Sequence, residues 1–321
     1  MPYLQDLTIR LAMGAADYPD PIRRRHTRWL LDQQRADGGF AGREGESDPY
    51  YTGFALRCLM ILGVLDGEPA ERAAGFLRSR LDQRESIIDL ISLVFGSAVL
   101  EMAAGIDVLR DAQSQWRQAV AALLESLRRE DGGYAKSPEG RAGSTYQSFL
   151  TVLCYELLEQ EVPEADRLYG FLQRHEHPEG GFLEIRVGKR AGVNPTAAAI
   201  GTLKVLDRLD AETAARTADF LADMQSEEGG FTANGRIPMA DLLSTCTGLI
   251  TLHDLQATSL VDLPPLRQYA LSMQRDAGGF AGFAMDPAKD VEYTFYGLAT
   301  LALTPALPSD SPSDSPTTET R

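Results

Sequence analysis

Two glycines followed by an aromatic residue recur five times along this chain of 321 residues. The aromatic residues of the five copies are Phe40, Tyr134, Phe182, Phe231 and Phe280. They lie 94, 48, 49 and 49 residues apart, and the first gap is close to two periods, so we expect a degenerate copy near Ile87. A fixed period of this length indicates a copied and stacked supersecondary unit, because one unit cannot bury its own apolar face. Six units are expected.

Each unit is predicted to be a pair of helices joined by the glycine turn and a loop. The segment before each glycine pair has apolar residues at helix spacing and charged residues on one side, whereas the segment after the loop, as in 196–206, is apolar nearly all round. We therefore expect six inner and six outer helices. The last unit is as apolar as the middle ones, so a closed ring explains the pattern better than an open array with polar ends.

The glycine pair itself is predicted to end the outer helix. A left-handed backbone conformation is common at that position and is costly for residues with a Cβ. The aromatic residue that follows is expected to fold back under the turn as an anchor.

Composition excludes several classes of function. The formal net charge is −15 and the sequence pI is near 4.8, which argues against a general binder of nucleic acids or anionic membranes.

The cysteines and the chain ends bear on the location of the protein. Cys58, Cys154 and Cys246 each lie in an apolar stretch, which is typical of core residues in a reducing compartment, so we expect a cytoplasmic protein. No secretory signal or membrane span is expected. Residues 305–321 are rich in Pro, Ser, Thr and Asp and are predicted to be a disordered tail.

The extended repeat motif carries a resemblance to a known family. Residues 34–40, 225–231 and 274–280 all read Gln-x-x-x-Gly-Gly-Phe. In this pattern the chain resembles the α/α toroid (α6/α6 barrel) shared by protein prenyltransferase β subunits and class II terpene cyclases. The resemblance implies an all-α toroid over residues 1–304. Loops 42–45 and 234–236 look most similar to those of geranylgeranyltransferase β subunits, which implies a geranylgeranyl or other polyprenyl diphosphate in the apolar centre and allows for a helical α-type partner subunit.

The resemblance also implies a zinc site, which this sequence does not preserve. In the family an Asp, a Cys two residues later and a His at the start of the sixth inner helix hold the metal. Asp241 matches the first ligand, but Leu243 and Tyr293 stand at the other two positions. Zinc needs about four ligands of suitable type, so we predict no zinc here.

At the positions of the family's diphosphate contacts, by contrast, this sequence has residues that can bind phosphate. Arg190 aligns with a His that contacts phosphate and Arg236 with a diphosphate-binding Arg, while Lys189 or Arg186 could replace a missing Lys. A guanidinium suits bidentate contact with phosphate oxygens. Aromatic residues near the starts of the inner helices are either funnel lining or ordinary helix packing. They are Tyr50, Tyr51, Phe54, Phe95, Tyr146, Phe149, Tyr293, Phe295 and Tyr296.

Four aspartates begin inner helices: Asp48, Asp89, Asp241 and Asp290. Their ordinary role would be N-capping. In a closed ring they would also form one acidic arc opposite the basic residues, able to hold a diphosphate with or without Mg²⁺. On this reading Asp241 and Asp290 orient an acceptor or ion and are the candidate catalytic residues.

Two other functions stay open. In a small terpene cyclase, one carboxyl group would protonate an alkene. The Asp-x-Asp-Asp motif of such cyclases is absent, and their usual second helical domain would not fit in 321 residues. A non-catalytic ring would instead bind a protein partner on its rim, and a cavity too narrow or too polar for a C15 to C20 chain would favour it. The pair His175 and His177 is expected to be a solvated loop doublet instead of a metal site.

Overall fold

The computed structural model describes residues 2–81, 87–110 and 116–306. Within these ranges the chain forms thirteen α-helices, a 3-10 helix at Thr258–Leu260 and isolated β-bridges, without strands. The first helix, α1, spans Tyr3–Ala15. The outer helices are α2 (Asp20–Gln33), α4 (Gly67–Arg80), α6 (Trp116–Ser126), α8 (Ala165–Gln173), α10 (Ala211–Ala222) and α12 (Leu263–Ser272). The inner helices are α3 (Pro49–Ile61), α5 (Ile87–Ala104), α7 (Thr145–Leu157), α9 (Val193–Val205), α11 (Leu242–Asp254) and α13 (Val291–Leu303).

The inner helices form a closed ring. Each packs against the next, and α13 packs against α3. Neighbouring units are also joined at the end where the inner helices begin, because the first N–H of an inner helix donates to a loop carbonyl of the following unit. These bonds are Thr145 to Glu184 at 3.0 Å, Val193 to Ala233 at 3.0 Å and Leu242 to Gly282 at 2.8 Å. The predicted all-α ring of six helix pairs is therefore confirmed.

The first glycine of each pair adopts the predicted left-handed conformation, with φ between 89° and 95° in all five copies. The prediction that the pair ends the outer helix is wrong in detail. In the first unit α2 ends at Gln33 because Gln34 is extended, and the glycines belong to a separate turn. That turn is closed by bonds from the Gly38 N–H to the Arg35 carbonyl and from the Arg35 N–H to the Gly39 carbonyl, both at 2.9 Å.

The second glycine and the aromatic residue lock the turn against its neighbours. A Cβ on Gly181 would lie 2.5 Å from the ring of Phe220 in the next outer helix. The backbone N–H of Phe231 donates to the hydroxyl of Thr245 at 2.9 Å, and the same bond recurs in the other four units with a glycine pair. All five aromatic anchors are buried, as predicted.

The turn also explains the glutamine in two of the three copies of the longer motif, Gln34 and Gln225. The side-chain amide of Gln225 donates to the Gly229 carbonyl at 3.2 Å and to the Asp262 carbonyl at 2.8 Å. One glutamine thus ties the turn to the start of the next outer helix.

Helix α1 lies outside the repeat and covers the end of the ring where the inner helices finish. The buried carboxylate of Asp254 accepts from the Tyr3 hydroxyl at 2.7 Å and pairs with Arg10 at 2.9 Å and Lys204 at 3.1 Å. The Tyr3 backbone N–H donates to Glu156 at 2.8 Å. The residues held in this way come from the C-terminal ends of α7, α9 and α11, so α1 is a floor beneath the ring.

The three cysteines are buried and unpaired, as the sequence predicted. No described helix is both long and apolar enough to cross a bilayer. Of the predicted tail, 305–321, all but the first two residues lie outside the described ranges.

Candidate functional site

A cavity of about 430 Å³ lies between the six inner helices, above the floor formed by α1. This volume is within the range of small-molecule sites, roughly 300–1,000 Å³. Every inner helix contributes to the wall, which is mostly aliphatic and aromatic. The larger apolar lining residues are Leu4, Leu7, Phe54, Ile91, Phe95, Phe149, Leu150, Leu153, Leu243, Ile250 and Phe295.

The wall follows the helical repeat. The second residue of every inner helix faces the cavity at its upper level, where the helices begin; these residues are Tyr50, Ile88, Tyr146, Asn194, Leu243 and Glu292. The residues four positions later form a second level: Phe54, Ser92, Leu150, Ala198, Thr247 and Tyr296. Positions i and i+4 share one face of a helix, so the cavity is built from one stripe of each inner helix.

Glu292 is a carboxyl group of the cavity wall. Its Oε1 accepts from the hydroxyls of Tyr50 at 2.9 Å and Tyr296 at 3.0 Å, whereas Oε2 has no bond to any described residue. Burial raises the pKa of Glu292, although these hydrogen bonds and the charge of Arg57 oppose the rise. The group can therefore hold a proton at a higher pH than an exposed glutamate.

Arg57 is the one cation in the described lining of this cavity. It lies two turns below Tyr50 on α3, and its side chain turns back so that Nε donates to the Gly53 carbonyl at 3.1 Å. The guanidinium carbon lies over the rings of Phe54 and Phe295, 4.2 Å and 4.8 Å from their centroids. A positive group is thus held by aromatic faces inside a largely apolar wall.

The two predicted catalytic residues both cap helices. Asp241 accepts from the Ser244 N–H at 2.7 Å and from its hydroxyl at 2.8 Å, and burial raises the pKa of this carboxyl. Asp290 accepts from the Tyr293 N–H at 2.8 Å and pairs with Arg43 at 2.9 Å. Neither lines the cavity.

The other two aspartates at helix starts differ from each other. Asp48 caps α3 in the same way, whereas Asp89 lies within the first turn of α5. Capping accounts for these positions, and the catalytic roles stay predictions.

The predicted substrate-binding tyrosines lie one residue beyond the cavity-facing position. Tyr51 packs over Gly42 and Tyr293 over Gly282, so that a Cβ on either glycine would lie 2.6 Å from the ring. The preceding residues, Tyr50 and Glu292, are the ones that line the cavity.

The predicted diphosphate contacts are exposed. Lys189 and Arg190 lie on the loop before α9, and Arg236 lies on the loop before α11. These loops are at the end of the ring where the inner helices begin, but none of the three side chains is part of the cavity wall. Their role in binding a head group stays a prediction.

The family's zinc ligands do not fit the residues present. The carboxylate of Asp241 is occupied by its own helix, Leu243 is an apolar part of the cavity wall, and Tyr293 packs beneath Arg43. Across the described ranges no three His, Cys, Asp or Glu side chains lie together as a metal-binding group. The prediction that both histidines are solvated is wrong for His175, which is buried against Phe171, whereas His177 lies next to Glu179.

Sequence reasoning found the aromatic lining but missed Arg57 and Glu292. A signal for both was present. The inner helices can be aligned on their capping residues. In that alignment one stripe contains the second residue of each helix and the positions four and seven residues later. Arg57 and Glu292 are the charged residues on this stripe.

Comparison with known proteins agrees with the observed fold. The family model for the prenyltransferase alpha-alpha toroid domain matches residues 9–92 and 110–314. No curated protein matches the chain. Among solved structures, Candida albicans protein geranylgeranyltransferase-I complexed with GGPP is 15% identical, with 88% of this chain and 91% of that chain covered at a TM-score of 0.71. A protein from Actinoplanes is 15% identical, with 88% and 97% covered and a TM-score of 0.59.

A type II terpene cyclase is also similar. A variant of MstE from Scytonema, in complex with its substrate geranylgeranyl dihydroxybenzoate, is 13% identical, with 94% of this chain and 98% of that chain covered at a TM-score of 0.62. Such low identities establish the fold and not the activity. Nearly the whole chain of this cyclase is covered, however, so the lack of room for a second helical domain does not count against a cyclase.

Proposed function

The chain belongs to the prenyltransferase alpha-alpha toroid family, and from that premise we propose that its central cavity binds an isoprenoid chain with an anionic head group. The observation that carries the proposal is the cavity itself, which is enclosed by six inner helices, closed below by α1 and lined mainly by apolar side chains. A geranylgeranyl or other polyprenyl diphosphate is the ligand class that the sequence predicts. The similar geranylgeranyltransferase and cyclase structures both contain geranylgeranyl compounds, which supports this choice.

A binding measurement tests the proposal. Labelled geranylgeranyl diphosphate should bind to the purified protein, and Ala197→Phe should weaken binding because it places a large ring in the cavity. Gly235→Ala is a matched control, since that glycine lies on an exposed loop with open space around it. Absence of binding to the wild type, or equal binding to the Ala197→Phe variant, would contradict the proposal. Adding Mg²⁺ tests whether the ion accompanies the diphosphate, as the sequence predicts.

Cyclisation is a second candidate, favoured by Glu292. A buried carboxyl of the cavity wall whose pKa is raised and whose Oε2 has no described partner is suited to deliver a proton to an alkene. The proton would add to one alkene carbon, a second alkene would close the ring onto the cation, and loss of a proton to a base would give a product with the mass of the substrate. The surrounding aromatic rings would stabilise the cation.

Isotope labelling separates cyclisation from binding alone. In D₂O, cyclisation of a geranylgeranyl substrate should give a product in which one deuterium has replaced one hydrogen, with a changed retention time. Glu292→Gln should abolish this product. Asp241→Asn and Asp290→Asn, in the same assay, test the catalytic residues predicted from sequence. Unchanged product formation in Glu292→Gln would remove Glu292 from the mechanism.

Two further predictions belong to the same proposal. A helical α-type partner subunit would fit a prenyltransferase role. A cytoplasmic location would suit the three buried free thiols. The alternative of a non-catalytic ring predicts a cavity too narrow or too polar for a C15 to C20 chain, and the mainly apolar lining of the described cavity does not support it.

A further inference from the structure

The position of Arg57 bears on the kind of head group that the cavity accepts. A guanidinium inside an apolar wall is costly unless its charge and its N–H donors are satisfied. Phe54 and Phe295 provide cation–π contacts, and Gly53 accepts from Nε. These contacts leave Nη1 and Nη2 without a bond to any described residue.

No described carboxylate forms an ion pair with Arg57. Glu292 is near enough to feel its charge, but Oε1 of Glu292 is already bound by Tyr50 and Tyr296. Tyr146, whose hydroxyl also has no described partner, faces the same cavity. Two guanidinium nitrogens and a phenol are thus available to a ligand within the wall.

We propose that Arg57 holds the anionic group of the ligand inside the cavity, through paired hydrogen bonds from its guanidinium to two oxygens of a carboxylate or phosphate. Such pairing is the preferred way for arginine to bind planar or tetrahedral oxyanions. The ligand is then an isoprenoid amphiphile whose hydrocarbon part covers the apolar wall. The inference rests on the proposed function and differs from the sequence prediction in placing the oxyanion at Arg57 instead of at the exposed Arg190 and Arg236.

Three ligands with the same C20 chain test this assignment: geranylgeraniol, geranylgeranoic acid and geranylgeranyl diphosphate. Wild-type protein should bind at least one of the two anions more tightly than the alcohol. Arg57→Met should weaken binding of that anion by about tenfold to a hundredfold, as expected for lost charge-assisted hydrogen bonds, and change alcohol binding less than about twofold. Whether the acid or the diphosphate suffers the loss identifies the head group as carboxylate or phosphate.

Two further variants extend the test. Arg57→Lys keeps the charge but not the paired geometry, so it should lose part of the affinity for the anion. This variant still tests the assignment if circular dichroism shows that the Arg57→Met protein does not fold. Arg190→Ala/Arg236→Ala tests the competing placement, because loss of affinity in this protein alone would put the oxyanion at the contacts that the sequence predicts.

The outcomes are distinguishable. If the anion binds the wild type and both Arg57 variants equally, or if only the Arg190→Ala/Arg236→Ala protein loses affinity, the assignment is wrong while the isoprenoid cavity stands. Equal binding of all three ligands to the wild type would also overturn it. If none of the ligands binds the wild type, the proposed function itself fails and the assignment fails with it.

Discussion

At the scale of single residues, Glu292 should give the stability of the protein a distinctive pH dependence. Its pKa is raised chiefly by burial, so between its ordinary range and its folded-state value the folded chain holds a proton that the unfolded chain has lost. Stability therefore falls as the pH rises through this window. The groups that act on this carboxyl are the hydroxyls of Tyr50 and Tyr296 and the charges of Asp290 and Arg57.

Glu292→Gln removes this dependence while it keeps an oxygen for the two tyrosines. We expect urea unfolding to show the variant gaining stability relative to the wild type as the pH rises from about 4 to about 7. Asp210→Ala is a control of opposite sign. The pKa of Asp210 is lowered, first by the Thr213 N–H that it caps, so its removal should cost about 1 kcal/mol near neutral pH and less in acid. Parallel pH profiles for the Glu292→Gln variant and the wild type would contradict the prediction.

The same residues show how far sequence reasoning reaches. The aspartates at the helix starts could be recognised as caps because an N-cap is a local interaction between residues a few positions apart. The residues that face the cavity differ from their neighbours only in their distance from the capping residue, and an error of one position turns a side chain by about a quarter of a helical turn. The sequence predicts Tyr51 and Tyr293 as substrate-binding residues, whereas Tyr50 and Glu292, one position earlier, line the wall.

At the scale of elements, the glycine turn should tolerate no side chain at its first glycine. Gly229 has φ of +94°, and a Cβ there would lie 2.5 Å from the backbone oxygen of Pro265. Gly229→Ala should lower the free energy of unfolding by about 2 kcal/mol or more, since strain and a backbone clash add.

Two other glycines separate the causes. Gly45 has φ of +92° with open space around it, so Gly45→Ala should cost only the strain, about 1 kcal/mol. Gly235 has neither feature, and its replacement by alanine should change the stability by less than about 0.5 kcal/mol. Urea unfolding of the three variants should follow this order. A Gly229→Ala protein as stable as Gly45→Ala would show that the clash is relieved by movement of α12.

The packing of helix α1 against the ring should depend on the carboxylate of Asp254. This side chain is 1% exposed and pairs with both Arg10 and Lys204. Asp254→Asn leaves two cations facing each other and should cost about 2–4 kcal/mol, less than for fully buried ions because both cations are partly exposed. In this variant, backbone hydrogen exchange in α1 should be faster than in the wild type, and the increase should be larger in α1 than in α10.

The matched control is Asp6→Asn. Asp6 pairs with the same arginine but is 60% exposed, so its loss should cost less than about 0.5 kcal/mol. If both variants exchange at wild-type rates in α1, the ion pairs do not hold the floor in place and apolar packing does.

At the scale of the whole molecule, the repeat made the ring predictable, because five copies of one motif repeat the same local instructions and the apolar inner helices leave few other arrangements. The floor was not predictable in this way. Helix α1 stands outside the period, and its contacts join residues such as Tyr3 and Asp254 that are 251 positions apart. The polar groups of the cavity depend on the same long-range assembly.

A closed ring should unfold as one unit, because the loss of any helix pair removes packing from both neighbours. The chain has two tryptophans in suitable places. Trp29 lies where the sixth unit meets the first, over Lys289 and against the turn at Gly278, whereas Trp116 begins α6 in the third unit. Trp116→Phe leaves a reporter at the junction and Trp29→Phe leaves one away from it.

In each of these variants the urea transition followed by tryptophan fluorescence should coincide with the transition of the same variant followed by far-ultraviolet circular dichroism. Comparison within one variant removes the effect of the substitution on stability, which matters because Trp29 is buried. An array that opens at the contact between α13 and α3 behaves differently, since Trp29 would lose its fluorescence signal at lower urea than the helices melt. That result would mean that the closure between the first and sixth units adds little cooperativity, and the ring would then behave as a solenoid whose ends touch.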